Sequence, residues 1–301
     1  ITEKVINQAE SLKNIGKINA TSTAKEADDY SDLITEIEVG YKLINTGTID
    51  PYCNMWGKEK MIDSGKKLLT PYLPKDSSII SDNRHSLYSN PKIIISKIGL
   101  QCEAFLDAKG EYASINTNCF HSFAENYTPE YILSWVNSKL YNYPFECFFD
   151  GLRMSGGYLL YSAPNLKNTY IKNIDLVKQE PFIKLVNIIS PLINNLNIIS
   201  GKFSNYLQSQ LSIEKLPKKL QKWHALEFAE FITELNKAIK KVGGEKLTKI
   251  DEMEWMDVFE TKRAEAQALK VEIDKTDKEI DAMVYELYGL SEEEIAIVEN
   301  S

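Results

Sequence analysis

The sequence predicts an α+β chain of 301 residues, with a mixed α/β domain over 1–183 followed by an all-helical arm over 184–301. Three observations carry this. Short β-branched runs bounded by turn residues recur from Gly40 onward. One amphipathic helix pattern interrupts them after Pro129. Beyond Pro181 the apolar residues recur only at helical spacing and end in a heptad seam.

Val5, Ile6, Ala9 and Leu12 open the chain with a short helical pattern, and a turn-rich stretch leads to Glu26-Ala-Asp-Asp-Tyr30. Tyr41-Lys-Leu-Ile44 then reads as a strand running into the polar turn Asn45-Thr-Gly-Thr48. Lys92-Ile-Ile-Ile95, preceded by Pro91, is the strongest buried-strand signal. Residues 101–106 and 111–115, separated by Asp107-Ala-Lys-Gly110, read as a hairpin with a glycine-containing turn. Asn116-Thr-Asn118 and Cys119-Phe120 continue the β pattern.

Thr128 is placed to cap a helix opened by Pro129 and carrying Ile132, Leu133, Val136 and Leu140 on one face. A loop with Arg153-Met-Ser-Gly-Gly157 follows, then strands at 158–161 and 171–177. In the arm, Ala266, Leu269, Ile273, Thr276, Ile280, Met283 and Leu287 step alternately by three and four, a seam that is expected to fold back within the arm. Met253, Met256 and Phe259 read as helix-packing residues. Gly289 stands where a helix C-cap belongs, and Ser291-Glu-Glu-Glu294 is a capping-box start for a last helix.

Net charge is −8, unevenly spread. Residues 40–180 hold 15 Lys/Arg against 14 Asp/Glu, so the acidity belongs to the two ends and a polyanion-binding face is permitted in the middle. The four cysteines are scattered without a close pair, as reduced small hydrophobes of a cytoplasmic protein would be, and the three histidines supply no zinc spacing. The longest apolar-looking stretch, residues 188–199, is broken by Ser190, Pro191, Asn194, Asn195 and Asn197, so no membrane partner is expected. The chain begins with Ile1 rather than Met and reads as part of something longer.

Catalytic machinery is not expected. There is no phosphate-binding glycine loop, no nucleophile elbow and no HExxH helix. Glu260-Thr-Lys262 with Asp251 or Asp257 is the nearest approach to a nuclease set, and its place in a helical pattern makes it a solvated face.

From Tyr41-Lys-Leu-Ile-Asn-Thr-Gly-Thr-Ile-Asp-Pro-Tyr52 onward the chain resembles the C-terminal target-recognition (TaqI-like specificity) domain of type IIG restriction–modification enzymes and related adenine-specific DNA methyltransferases. Further matches follow in order. They are Pro91-Lys-Ile-Ile-Ile95, Glu103-Ala-Phe-Leu-Asp-Ala-Lys-Gly-Glu-Tyr112, Ser114-Ile-Asn-Thr-Asn118, and Tyr131-Ile-Leu-Ser-Trp-Val-Asn-Ser-Lys-Leu140. Gly156-Gly-Tyr-Leu159 with Pro164-Asn-Leu-Lys167, and the tail Glu279 to Leu290, complete the series. The methyltransferase hallmark Asn-Pro-Pro-aromatic is missing. The resemblance therefore implies sequence-specific recognition of double-stranded DNA by this chain, with no cofactor of its own. It also implies an upstream methyltransferase domain of the same polypeptide, which flips the target adenine and uses S-adenosylmethionine. The parent is then a bacterial, cytoplasmic adenine DNA methyltransferase with or without endonuclease activity.

Affinity for duplex DNA comes mainly from cations and small polar donors on phosphates, and sequence is read by groups reaching base edges. On that basis the expected DNA-contacting residues are Asn45, Thr46, Thr48, Lys58, Lys60, Arg84, His85, Lys97, Asn116, Asn118, Arg153 and Ser155, with no catalytic or metal residue among them. Arg84 and Arg153 are two of only three arginines, each expected in a loop, and arginine on guanine is the commonest specific pairing. Asn116 and Asn118, two apart, share one face if both lie in a strand. Lys58, Lys60, Lys66 and Lys67 suit phosphates. Two rival readings stand beside this one: the specificity subunit of a multi-subunit restriction system, and a helical protein-interaction module without DNA contact.

Overall fold

The structure is a computed structural model, and it describes all residues except Asp150, Leu152 and Glu214. The fold class is α+β, and the chain divides into two compact units, Ile1–Ile188 with Asp277–Ser301, and Ile189–Thr276. The sequence had placed all of 184–301 in one arm. Its last 25 residues instead belong to the unit that holds the sheets.

The first unit is organised around two sheets. The larger takes β1 (Lys17–Ala20) at its edge. The smaller is built on β2 (Gly40–Asn45), which follows α1 (Ala24–Ser31). After β2 come the ribbon β3 (Met61–Asp63) and β4 (Lys66–Leu68), then β5 (Tyr72–Pro74). After α2 (Asp82–Ser89) come β6 (Lys92–Ser96), β7 (Ile98–Gly99), β8 (Ala104–Asp107), β9 (Tyr112–Ile115) and β10 (Thr117–His121). The four-stranded sheet runs β8-β6-β10-β1, antiparallel throughout, and the three-stranded sheet runs β9-β2-β5. β9 lies parallel to β2, and β5 antiparallel to it.

β6 occupies the middle of its sheet and every residue in it is buried, which is why the run Lys92-Ile-Ile-Ile95 carries no alternation. Tyr41, Leu43, Tyr88, Ala113, Ile115 and Cys119 form one core cluster with Tyr30 and Met61. Ile44, Ile49, Ile94 and Phe105 form a second one against Trp56 and Tyr112.

The hairpin expected over 101–115 is absent. β8 pairs with β6 and β9 pairs with β2, so the chain changes sheets at the turn. The Asp107 carboxylate makes the change: it accepts from the Glu111 and Tyr112 backbone N–H groups (3.0 and 3.1 Å) and takes the buried Lys92 ammonium at 2.6 Å. Gly110, at φ +68, passes so close to helix α2 that a Cβ there would sit 2.2 Å from the Ser89 backbone. The sequence shows the turn but not which partner each strand finds.

Helices α3 (Pro129–Asn137) and α4 (Lys139–Phe149) follow, with Thr128 capping the first as expected. β11 (Leu159–Leu160) pairs antiparallel with β7. The strand expected at 171–177 shrinks to Tyr170–Ile171, paired with Glu10–Ser11. Helix α5 (Leu176–Leu211) starts there because Gln179 is buried and fully used, accepting from Thr128 and donating to the Asn126 and Ile174 carbonyls.

By length and composition α5 is apolar enough to cross a membrane, contrary to the sequence expectation. It carries asparagines at 194, 195 and 197 and buries Phe182, Leu185, Val186, Phe203 and Leu207.

In the second unit, α6 (Phe228–Lys241) and the N-terminal part of α7 (Lys249–Tyr288) enclose an aromatic core. Phe231 stacks on Phe259 at 4.3 Å, and Trp223 lies 4.2 Å from Phe203. Phe259 packs as expected, whereas Met253 and Met256 are exposed, because the buried stripe of α7 passes through Phe259 and Ala266.

The seam also divides. Ala266, Ile273 and Thr276 are buried in the second unit, while the end of α7 docks in the first rather than folding back within the arm. There Tyr288 stacks on Trp135 at 4.9 Å and accepts from the Lys172 N–H, and Asp281 accepts from the Lys139 N–H at the start of α4. Helix α8 (Glu292–Glu299) begins with the expected capping box at Ser291.

Candidate nucleic-acid interface

Parallel pairing puts Asn45 opposite Ile115, so β2 and β9 end side by side. The end of β6 joins them, because Ser96 pairs with Thr117 at the start of β10. The residues just past these ends are Thr46, Asn116 and Lys97, and the Thr46 hydroxyl binds all three segments. It accepts from the Lys97 N–H at 3.0 Å and donates to the Asn116 carbonyl.

Asn45 locks the turn. Its Oδ1 accepts from the Gly47 N–H at 3.1 Å and its Nδ2 donates to the Ile62 carbonyl at 3.0 Å. Thr48 is buried and exchanges hydrogen bonds with the Asn45 backbone in both directions. Three of the expected contact residues therefore hold the junction together, and the groups left facing outward are the exposed Asn116 and the half-buried Lys97.

Asn118 does not share a face with Asn116. Asn116 adopts φ +55 and lies outside the strand, a conformation asparagine tolerates. Asn118 is buried in β10 and donates to the Tyr161 carbonyl at 2.5 Å. The two-residue spacing gave the wrong geometry because the strand begins one residue later.

Arg84 is not in a loop. Ser81 caps α2, and from its first turn Arg84 grips Glu26 with Nε and Nη2 (3.0 and 2.8 Å) and the Ala20 carbonyl with Nη1. That bidentate bond holds the Glu26 carboxyl down at about 2. Arg84 lines an open polar groove of about 780 Å³ with Lys17, Asn19, Asn83, Asn90 and His121, where burial and Lys17 lower the His121 pKa. His85 meets the Tyr41 hydroxyl at 3.2 Å. Neither Arg84 nor His85 is bonded to the Thr46 junction.

Arg153 is exposed in the loop after α4, donating to the Gly157 carbonyl and to Glu146 (3.1 and 2.9 Å), with Ser155 exposed beside it. Lys58 is half-buried, its Nζ 3.5 Å from the Asn54 carbonyl, and Lys60 is exposed.

Sequence reasoning missed the ribbon β3–β4. Its signal was Ser64-Gly65 between two short runs: both residues have positive φ (+46 and +80), as a tight hairpin turn requires. The ribbon is tied to the junction through the Asn45–Ile62 bond.

Among the described residues no group of three or more His, Cys, Asp or Glu is placed to hold a metal ion. Residues 44–176 match the model of the TaqI-like C-terminal specificity domain, and residues 175–284 match a domain of unknown function, DUF8810. No curated protein matches the chain. Among solved structures the chain is similar to the type IIG restriction endonuclease BpuSI, with 14% identity, a TM-score of 0.40, and coverage of 95% of this chain and 32% of that one. The chain thus spans about a third of that enzyme's length. Residues 44–176, which begin at the junction described above and end where α5 begins, are thus the part of the chain that is similar to the TaqI-like C-terminal specificity domain.

Proposed function

We propose that this chain reads a short site in duplex DNA as the specificity part of a type IIG restriction–modification enzyme, and that adenine methylation is performed by a domain outside these residues using S-adenosylmethionine. The match of residues 44–176 to a specificity domain supports this reading, and the Thr46 junction gives it a physical form. Three strand ends locked by side-chain hydrogen bonds make a rigid platform, so the outward groups keep a fixed spacing. Rigid placement lowers the entropy lost when a side chain engages a base edge. On this platform Lys97 suits a phosphate and Asn116 suits an adenine, while Asn45, Thr46 and Thr48 are positioning residues.

The test is binding of the 301-residue chain to a labelled 30-bp duplex across a salt series. Each phosphate contact contributes a slope of roughly −0.9 in log K against log salt, and Lys97 with two or three further cations predicts a total near −3. Lys97→Ala should flatten that slope by about one unit. A slope near zero, or no binding at 50 mM salt, rules the reading out.

A further inference from the structure

The ribbon β3–β4 has two faces of different character. On the inner face Met61 is buried in the core, the Ser31 hydroxyl donates to the Asp63 carboxylate, and the Lys66 ammonium donates to the Ser31 carbonyl at 3.3 Å. The outer face carries Ile62 and its cross-strand partner Lys67. Ile62 is 62% exposed, and Lys67 makes no ion pair among the described residues. Exposed Lys60 precedes the ribbon. Its neighbour in charge is Glu36, which is held at the ribbon's base by accepting from the Leu69 and Thr70 N–H groups.

Residues 58–68 thus hold four lysines against two carboxylates, and one of each, Lys66 and Asp63, is turned inward. A branched aliphatic side chain at the centre of a cationic two-stranded ribbon needs an occupant that is anionic at its margins and apolar at one point. The major groove of B-DNA offers both. It is about 12 Å wide, admits a two-stranded ribbon, and presents the thymine 5-methyl group between rows of phosphates.

We propose that the ribbon Met61–Leu68 enters the major groove, with Lys67 on a phosphate and Ile62 against a thymine methyl group. The inference rests on the DNA reading above and adds a specificity-determining residue to it. Asn45 then has a second role, because its bond to the Ile62 carbonyl fixes the ribbon against the junction.

The experiment enriches bound duplexes from a 30-bp library with a randomised centre, using the whole chain, and then replaces each thymine of the enriched site with deoxyuridine. At one thymine the loss of the methyl group should weaken wild-type binding about four-fold, the worth of one buried carbon. Ile62→Ala should bind the thymine and deoxyuridine duplexes alike. Its exposure makes it neutral for folding, which circular dichroism checks. Lys67→Ala should weaken binding to enriched and scrambled duplexes equally. If no thymine discriminates, or if discrimination survives in Ile62→Ala, the ribbon proposal fails while DNA recognition stands. If the chain enriches no duplex, both fail.

Discussion

Lys92 and Arg84 live in different surroundings from the lysines of the ribbon. Lys92 is fully buried, and its ammonium is matched by Asp107 at 2.6 Å and by the Tyr88 carbonyl at 2.8 Å. Arg84 is matched by a bidentate carboxylate. Lys67, 25 residues upstream of Lys92, has no such partner among the described residues. A dedicated carboxylate turns a cation into a structural part that fixes where strands and helices meet. A cation without one, or with only a partly solvated partner as Arg153 has in Glu146, stays available to an outside anion. The distribution of carboxylates, more than that of cations, marks which surface can meet a polyanion.

The sharpest way to break this comparison is to remove the carboxylate from the buried pair. Burial pulls the Lys92 pKa down and Asp107 opposes that pull. Asp107→Ala leaves an uncompensated ammonium in the core and frees two backbone N–H groups, so the chain should lose roughly 3–5 kcal/mol of stability in urea unfolding. Replacing both partners with apolar residues of similar size should recover much of that loss. A loss below about 1 kcal/mol for Asp107→Ala would mean that the pair does not direct the change of sheets.

Asp281 sharpens the same point from the other side. It is buried with a backbone N–H as its bonded partner rather than a cation, and burial pushes its carboxyl up to about 7, with Asp277 and Glu299 adding to the rise. The folded protein then binds a proton that the unfolded chain has released, between about pH 4 and 7. Stability from this group is therefore present at low pH and is lost as pH rises through 7. Glu103, pushed to about 7 by burial and by Asp50, acts in the same direction. Thermal unfolding at pH 5 and pH 8 should show the wild type losing several degrees at the higher pH. Asp281→Asn, which keeps the acceptor and removes the charge, should recover roughly 3–6 °C of that loss. An unchanged difference would show that the end of α7 does not sense this carboxyl.

The sequence made the fold class, the buried strand at Lys92, the Thr128 and Ser291 caps and the Asn45 turn legible, because each rests on local periodicity or turn chemistry. It hid what depends on long-range partners. Strand change at Asp107 needs Lys92, 15 residues away, and the state of Arg84 needs Glu26, 58 residues away. Asn118 looked like a contact residue because alternation was counted through Asn116, whose positive φ resets the count. The candidate site was half legible: its turn was found, while the meeting of three strand ends around one hydroxyl was not.

The smallest effect on stability, and the finest test of the comparison, belongs to Arg153. It is exposed and its bond to Glu146 joins two partly solvated side chains 36% and 28% accessible, the kind of pair that contributes about 0–1 kcal/mol. Arg153→Ala should shift the melting temperature by no more than about 2 °C, a surface substitution within roughly 0.5 kcal/mol. If it reads a guanine, the same change should weaken binding to an enriched duplex about ten-fold and relax selection at one position, within the roughly 1–3 kcal/mol of such a contact. Arg84→Ala should do the reverse, lowering stability by about 1–3 kcal/mol through the stranded Glu26 carboxylate and leaving selection unchanged. Both variants go through the same duplex selection and the same melt. If Arg84→Ala alters the selected site while Arg153→Ala leaves it intact, then a dedicated carboxylate does not withdraw a cation from DNA, and the division between structural and available cations collapses.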